Sequence, residues 1–111
     1  MKYRTTQKAL KSAYGKKLAI GYCNAQYLLG HHNPIAYTCG VNGWNCDVYE
    51  VDGIQITTGY RGLVGVRPDY SLISEYEERA REVAYDYNLT FEERENAINN
   101  LLSAFLAKCF E

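Results

Sequence analysis

The sequence predicts one α+β domain over residues 1–111. It reads as a three-stranded antiparallel meander at about 35–60, short N-terminal helices before it, and a C-terminal antiparallel helical hairpin at about 69–87 and 91–109. Three observations carry this. Two dipeptides, Asn42-Gly43 and Asp52-Gly53, separate three runs rich in β-branched and aromatic residues; both supply the positive φ angles of a tight hairpin turn. Apolar residues then recur at helical spacing from Leu72 onward. Finally, Thr90 with Glu93 three residues later is the signature of a capping box, which starts the last helix.

In chain order, Thr5 or Thr6 can cap a short helix whose stripe is Ala9, Leu10, Ala13 and Tyr14, with Gly15 as its stop. Lys17 to Tyr22 is a brief apolar run that reads as a strand. Asn24 can cap one or two turns through Tyr27, Leu28 and Leu29, ended by Gly30. His31, His32 and Asn33 precede Pro34 and form a loop, because proline disfavours helix in the residue before it. The meander strands are Ile35–Val41, Trp44–Val51 and Ile54–Tyr60. In the first helix of the hairpin the stripe is Leu72, Ile73, Tyr76, Ala80, Val83, Ala84 and Tyr87. In the second it is Ile98, Leu101, Leu102, Phe105, Leu106 and Cys109.

Register poses a question. Two-residue turns set Val41 opposite Trp44, Cys39 opposite Cys46 and Tyr37 opposite Val48, whereas Ile54 and Ile56 fall on the other sheet face. Side chains alternate along a strand, so either both faces are covered or one hairpin connection has odd length. An altered first turn, with Asn42 to Asn45 in a longer loop, is the preferred solution.

The polar start lacks the apolar centre of a signal peptide, and no run reaches the ~18 apolar residues of a membrane span. The expectation is a cytoplasmic protein without membrane association, its four cysteines reduced. The net charge of −1 hides an uneven layout. Residues 1–67 carry eight basic and three acidic groups; residues 68–111 carry four basic and ten acidic ones. Such a split suits a basic binding face, an acidic one, or internal compensation.

Several patterns bear on chemistry. Cys23, His31, His32, Cys39 and Cys46 are all metal-ligand types within a short stretch. Yet the close pairs that mark zinc sites are missing, and nothing in the spacing selects a thiol–histidine pair for catalysis. Gly59, Gly62 and Gly65 with Arg61 and Arg67 can cradle an anion, but they match no phosphate-binding fingerprint and read better as a turn from strand to helix. Eleven tyrosines and Trp44 stand out. Tyrosine fills half-buried sheet positions with its hydroxyl wet, and it also dominates protein-binding hot spots.

The stretch from Tyr37 through Trp44 and Tyr49 to Arg61, including Cys39-Gly40-Val41-Asn42-Gly43-Trp44-Asn45-Cys46, resembles small orphan accessory proteins of phages and conjugative elements of gut Firmicutes. The likeness covers the central third to half of the chain and carries no site. It implies a mobile-element role, including inhibition of host defence in the manner of anti-CRISPR proteins.

Together these features favour binding over chemistry, with a protein partner and no cofactor, catalytic residue or metal. Trp44, Tyr49, Tyr60, Arg61 and Arg67 are the candidate contacts. The first alternative is a nucleic-acid binder that uses Lys8, Lys11, Lys16, Lys17 and the tyrosines of the basic half. The second is a thiol- or metal-dependent enzyme.

Overall fold

A computed structural model of the chain describes residues 16–21, 25–39, 45–58 and 65–111. Among these residues four strands form one sheet: β1 (Lys16–Ile20), β2 (Ala36–Cys39), β3 (Asn45–Val51) and β4 (Ile54–Thr58), in the spatial order β1-β4-β3-β2. Two helices follow, α1 (Tyr70–Ala84) and α2 (Phe91–Cys109). The expected N-terminal helix over residues 5–14 and the cap at Asn24 lie outside the described residues.

The meander is present: β2 pairs with β3 and β3 with β4, both antiparallel. The sheet as a whole is mixed, however, because β1 joins β4 in parallel, with Leu18 beside Ile56 and Ile20 beside Thr58. Sequence periodicity identifies a strand but not its neighbour, so this pairing was not part of the expected meander. Val66 then returns along the outer side of β1. It exchanges two backbone bonds of 2.9 Å with Lys17 and Ala19, and so extends the sheet by one bridge.

The second turn is as its residues dictate: Asp52 and Gly53 both have positive φ (53° and 75°), the requirement of a type I′ turn. The first connection departs from the two-residue register. Ala36, not Tyr37, stands opposite Val48, and Thr38 stands opposite Cys46. Cys39 pairs with Asn45, so the two thiol-bearing residues are not directly opposed. Five residues, 40–44, connect the strands, and this odd length resolves the parity question.

Ile54, Ile56 and Thr58 are buried on one face of β4, as are Leu18 and Ile20 on β1. Against them pack Leu28 and Leu29 from the 25–30 turn, Ile73, Tyr76 and Ala80 from α1, and Ile98, Leu102, Phe105 and Leu106 from α2. The helices touch each other through Tyr76 and Phe105, whose ring centroids are 5.7 Å apart. The α2 stripe is therefore the one expected. The α1 stripe is shorter than expected: the helix ends at Ala84, and Tyr87 is 81% exposed rather than core. Asp86 explains the stop, since its carboxylate and carbonyl accept from the N–H groups of Asn88 (3.1 Å) and Leu89 (3.2 Å) and turn the chain. Among the described residues no helix is long and apolar enough to cross a membrane.

Candidate functional site

The 25–30 turn owes its position to α1. Its backbone folds into a single turn, with Leu29 N–H bonded to Ala25 O at 2.9 Å. The first N–H groups of such a turn have no partner within it. Glu77 supplies one: its carboxylate accepts from Tyr27 N–H at 2.8 Å and Leu28 N–H at 3.2 Å. Burial pushes the Glu77 carboxyl above its ordinary range, and the backbone donors of Tyr27, Leu28 and Gln26 pull against that. Four-residue spacing on the helix offers Glu77 the Arg81 guanidinium. The carboxylate turns to the backbone instead, while the parallel pair Glu75–Arg79 does form, at 3.3 Å.

This docking opens a cleft of about 330 Å³ between the turn and α1. Tyr70, Ser74, Glu78 and Arg81 line it from the helix, and Gln26 and Tyr27 from the turn. Their spacing along α1 puts the first three on one row, four residues apart. At the far end Tyr27 meets Tyr85 edge-on, with centroids 5.9 Å apart and hydroxyl oxygens 3.3 Å apart. That contact, with burial, raises the Tyr27 phenol pKa.

Aromatic surface continues past the cleft. Tyr70 (72%), Tyr85, Tyr87 and Phe91 (63%) are all largely exposed. His31 lies edge-on to Phe91 at 5.5 Å, and the Arg94 guanidinium sits 5.7 Å over the Tyr87 ring. The 25–31 segment thus lies against the α1–α2 junction at both Tyr27 and His31; Tyr85, Tyr87 and Phe91 belong to that junction, and Tyr70 stands at the other end of α1.

Of the contacts read from sequence, Trp44, Tyr60 and Arg61 lie outside the described residues. Tyr49 is half-buried and borders a second cleft, of about 310 Å³, with His32, Asp47 and Thr58. Arg67 is exposed and borders a third, with Lys108 and Glu75. The structure therefore does not bring Tyr49 and Arg67 into one site. Sequence pattern does not reveal the aromatic seam, because Tyr87 falls on the apolar stripe expected of the first helix and Tyr70 and Phe91 carry no signal in residue type alone. The available signal was positional: Phe91 directly follows the cap Thr90, and Tyr70 falls outside the Ile73, Tyr76, Ala80 row.

His32 Nε2–H donates to Asn99 Oδ1 at 3.0 Å. Cys23 lies outside the described residues, among which no group of three metal-ligand side chains assembles. Burial pushes the Cys109 thiol up to about 12, the opposite of an activated nucleophile. Of the basic residues proposed for nucleic acid, Lys8 and Lys11 lie outside the described residues, and Lys16 sits 5.4 Å over the Phe110 ring.

Among the described residues the fold is α+β, a mixed four-stranded sheet backed by two helices. Comparison with family models, curated proteins and solved structures found no match for it.

Proposed function

We propose that this domain works by binding another protein through the aromatic seam between the 25–31 segment and the helices. The observation that carries this reading is the group of exposed rings at Tyr85, Tyr87 and Phe91, where α1 gives way to α2. Exposed aromatic surface costs solvation free energy in a free monomer, and contiguous patches of it mark interaction sites. Tyrosine is also among the residues that most often dominate binding energy, since it buries large area with few torsions to freeze. The resemblance of the central segment to mobile-element accessory proteins makes a host defence nuclease the partner class to test first.

The test is capture from bacterial host lysate on the tagged chain, with and without nuclease treatment, followed by mass spectrometry. The expected result is a defined protein that survives nuclease treatment and is lost from a Tyr85→Ala, Tyr87→Ala double variant that still folds. Retention of nucleic acid alone, abolished by nuclease, overturns the reading in favour of the basic N-terminal half. Alanine variants of Trp44, Tyr49, Tyr60, Arg61 and Arg67 in the same assay test the contacts read from sequence.

A further inference from the structure

We propose that Tyr27 and Tyr85 form an oxidative modification site: a one-electron oxidant couples their rings through a carbon–carbon bond, and that bond fastens the 25–30 turn to the end of α1. The site is independent of the partner that the seam binds.

Geometry singles out this pair. The ring centroids are 5.9 Å apart with the planes at 62°, and the hydroxyl oxygens approach to 3.3 Å, so the rings converge at their hydroxyl ends. The Cε carbons flank those hydroxyls, and a phenoxyl radical carries much of its unpaired spin there. Both backbones are fixed to one helix. Tyr27 N–H donates to the Glu77 carboxylate at 2.8 Å, and Tyr85 N–H donates to the Arg81 carbonyl at 3.1 Å. Two reacting groups held together by a scaffold behave as one molecule, at an effective concentration far above that of chains meeting in solution. Tyr85 is 55% exposed, so an oxidant in solvent reaches it.

Exposure alone would select other tyrosines. Tyr87, at 81%, is the more open ring, but it carries the Arg94 guanidinium 5.7 Å over its face. Tyr70, at 72%, stands at the opposite end of α1. Tyr76 is buried against Phe105. Proximity and exposure therefore make different predictions, and the pair is the outcome that proximity favours.

Each phenol gives one electron to the oxidant and its hydroxyl proton to water. The two phenoxyl radicals then pair their spins in a bond between one Cε of each ring. Each bonded carbon releases its hydrogen as a proton and each oxygen takes one back, which restores both phenols. The sum is two electrons passed to two equivalents of oxidant and two protons passed to water.

The test uses the full-length chain at low micromolar concentration, exposed to a brief flash of light with tris(bipyridine)ruthenium and persulfate, a source of diffusible one-electron oxidant. The expected product is a monomer lighter by two hydrogen atoms, with dityrosine fluorescence and fragment masses that join Tyr27 to Tyr85. Tyr27→Phe and Tyr85→Phe keep the rings but remove the phenol, and each should lower the yield of coupled monomer at least about fivefold. Tyr87→Phe should leave that yield unchanged. Thermal melts of the variants show that they fold. The coupled monomer should melt above the parent chain, because the bridge closes the segment between positions 27 and 85 and restricts the unfolded state. Coupling centred on Tyr87 or on other tyrosines, covalent dimers in place of coupled monomer, or a lowered melt after coupling would overturn the proposal.

Discussion

The carboxylate of Glu77 on α1 holds the backbone N–H of Tyr27 at 2.8 Å, fifty positions away in the chain, and through it the turn that forms one wall of the cleft. Tyr27 and Leu28 would otherwise present half-buried donors with no acceptor, a loss that costs more than the bond itself is worth. Glu77→Ala should therefore lower stability by about 1–2 kcal/mol in urea unfolding, a charged hydrogen bond discounted for partial exposure. Amide exchange of Tyr27 and Leu28 should quicken most. A variant with exchange unchanged at those two amides would show that the turn is held by packing alone.

Two carboxylates should give opposite pH signatures. Glu77 has its pKa raised by burial, so the titration-linked part of its contribution, separate from the hydrogen bonds it accepts, is complete below the ordinary carboxylate value and is lost as pH climbs through the raised one. Glu93 has its pKa lowered by the Thr90 backbone N–H, which donates to it at 2.8 Å, and by the Thr90 side chain. Its contribution is present above the ordinary value and is lost as pH falls through the lowered one. Subtracting the unfolding free energies of Glu77→Gln and Glu93→Gln from that of the parent chain, between pH 3 and 7, should give slopes of opposite sign. Slopes of the same sign would contradict one of the two environments.

Gly65 sits where the returning chain crosses β1. A Cβ there would come 3.1 Å from the Lys17 carbonyl oxygen and 3.3 Å from the Ala19 nitrogen. Both atoms belong to a paired strand, and the neighbouring Val66 bonds depend on this approach. Gly65→Ala should cost about 1–3 kcal/mol through overpacking, seen as a lower melting temperature. An unaltered melt would mean that the Val66 bridge yields without loss.

Cys109 is half-buried, its thiol pushed up to about 12. In the folded chain at pH 8 it should alkylate at least about tenfold more slowly than a free thiol, because only the thiolate reacts. Peptide mapping after brief iodoacetamide treatment, with and without denaturant, measures this. Fast native alkylation would show that the α2 C-terminus opens readily.

Much of the fold is legible in local pattern. Asp52-Gly53 sets its own turn, and Thr90 with Glu93 caps α2 through bonds confined to four residues. Ile98, Leu102, Phe105 and Leu106 are buried because their spacing leaves them on one side of a helix. The first hairpin is less legible, since Asn42-Gly43 is a valid turn signal that the five-residue connection does not follow as a two-residue loop. The candidate site is the least legible. Tyr27, Tyr70, Tyr85 and Phe91 come from three separate stretches, and single tyrosines carry the same sequence signature whether they end up wet or packed.

The sequence by itself determined the class of the domain, the middle strands, the 52–53 turn and the buried face of α2, because each depends on interactions within a few residues. Only the tertiary structure decided that β1 lies parallel to β4, that Glu77 serves the 25–30 turn rather than Arg81, and that Tyr87 faces solvent while Tyr76 does not. Those outcomes join residues tens of positions apart. They are set by which surfaces can be buried together and which backbone donors need an acceptor, and a linear pattern records neither.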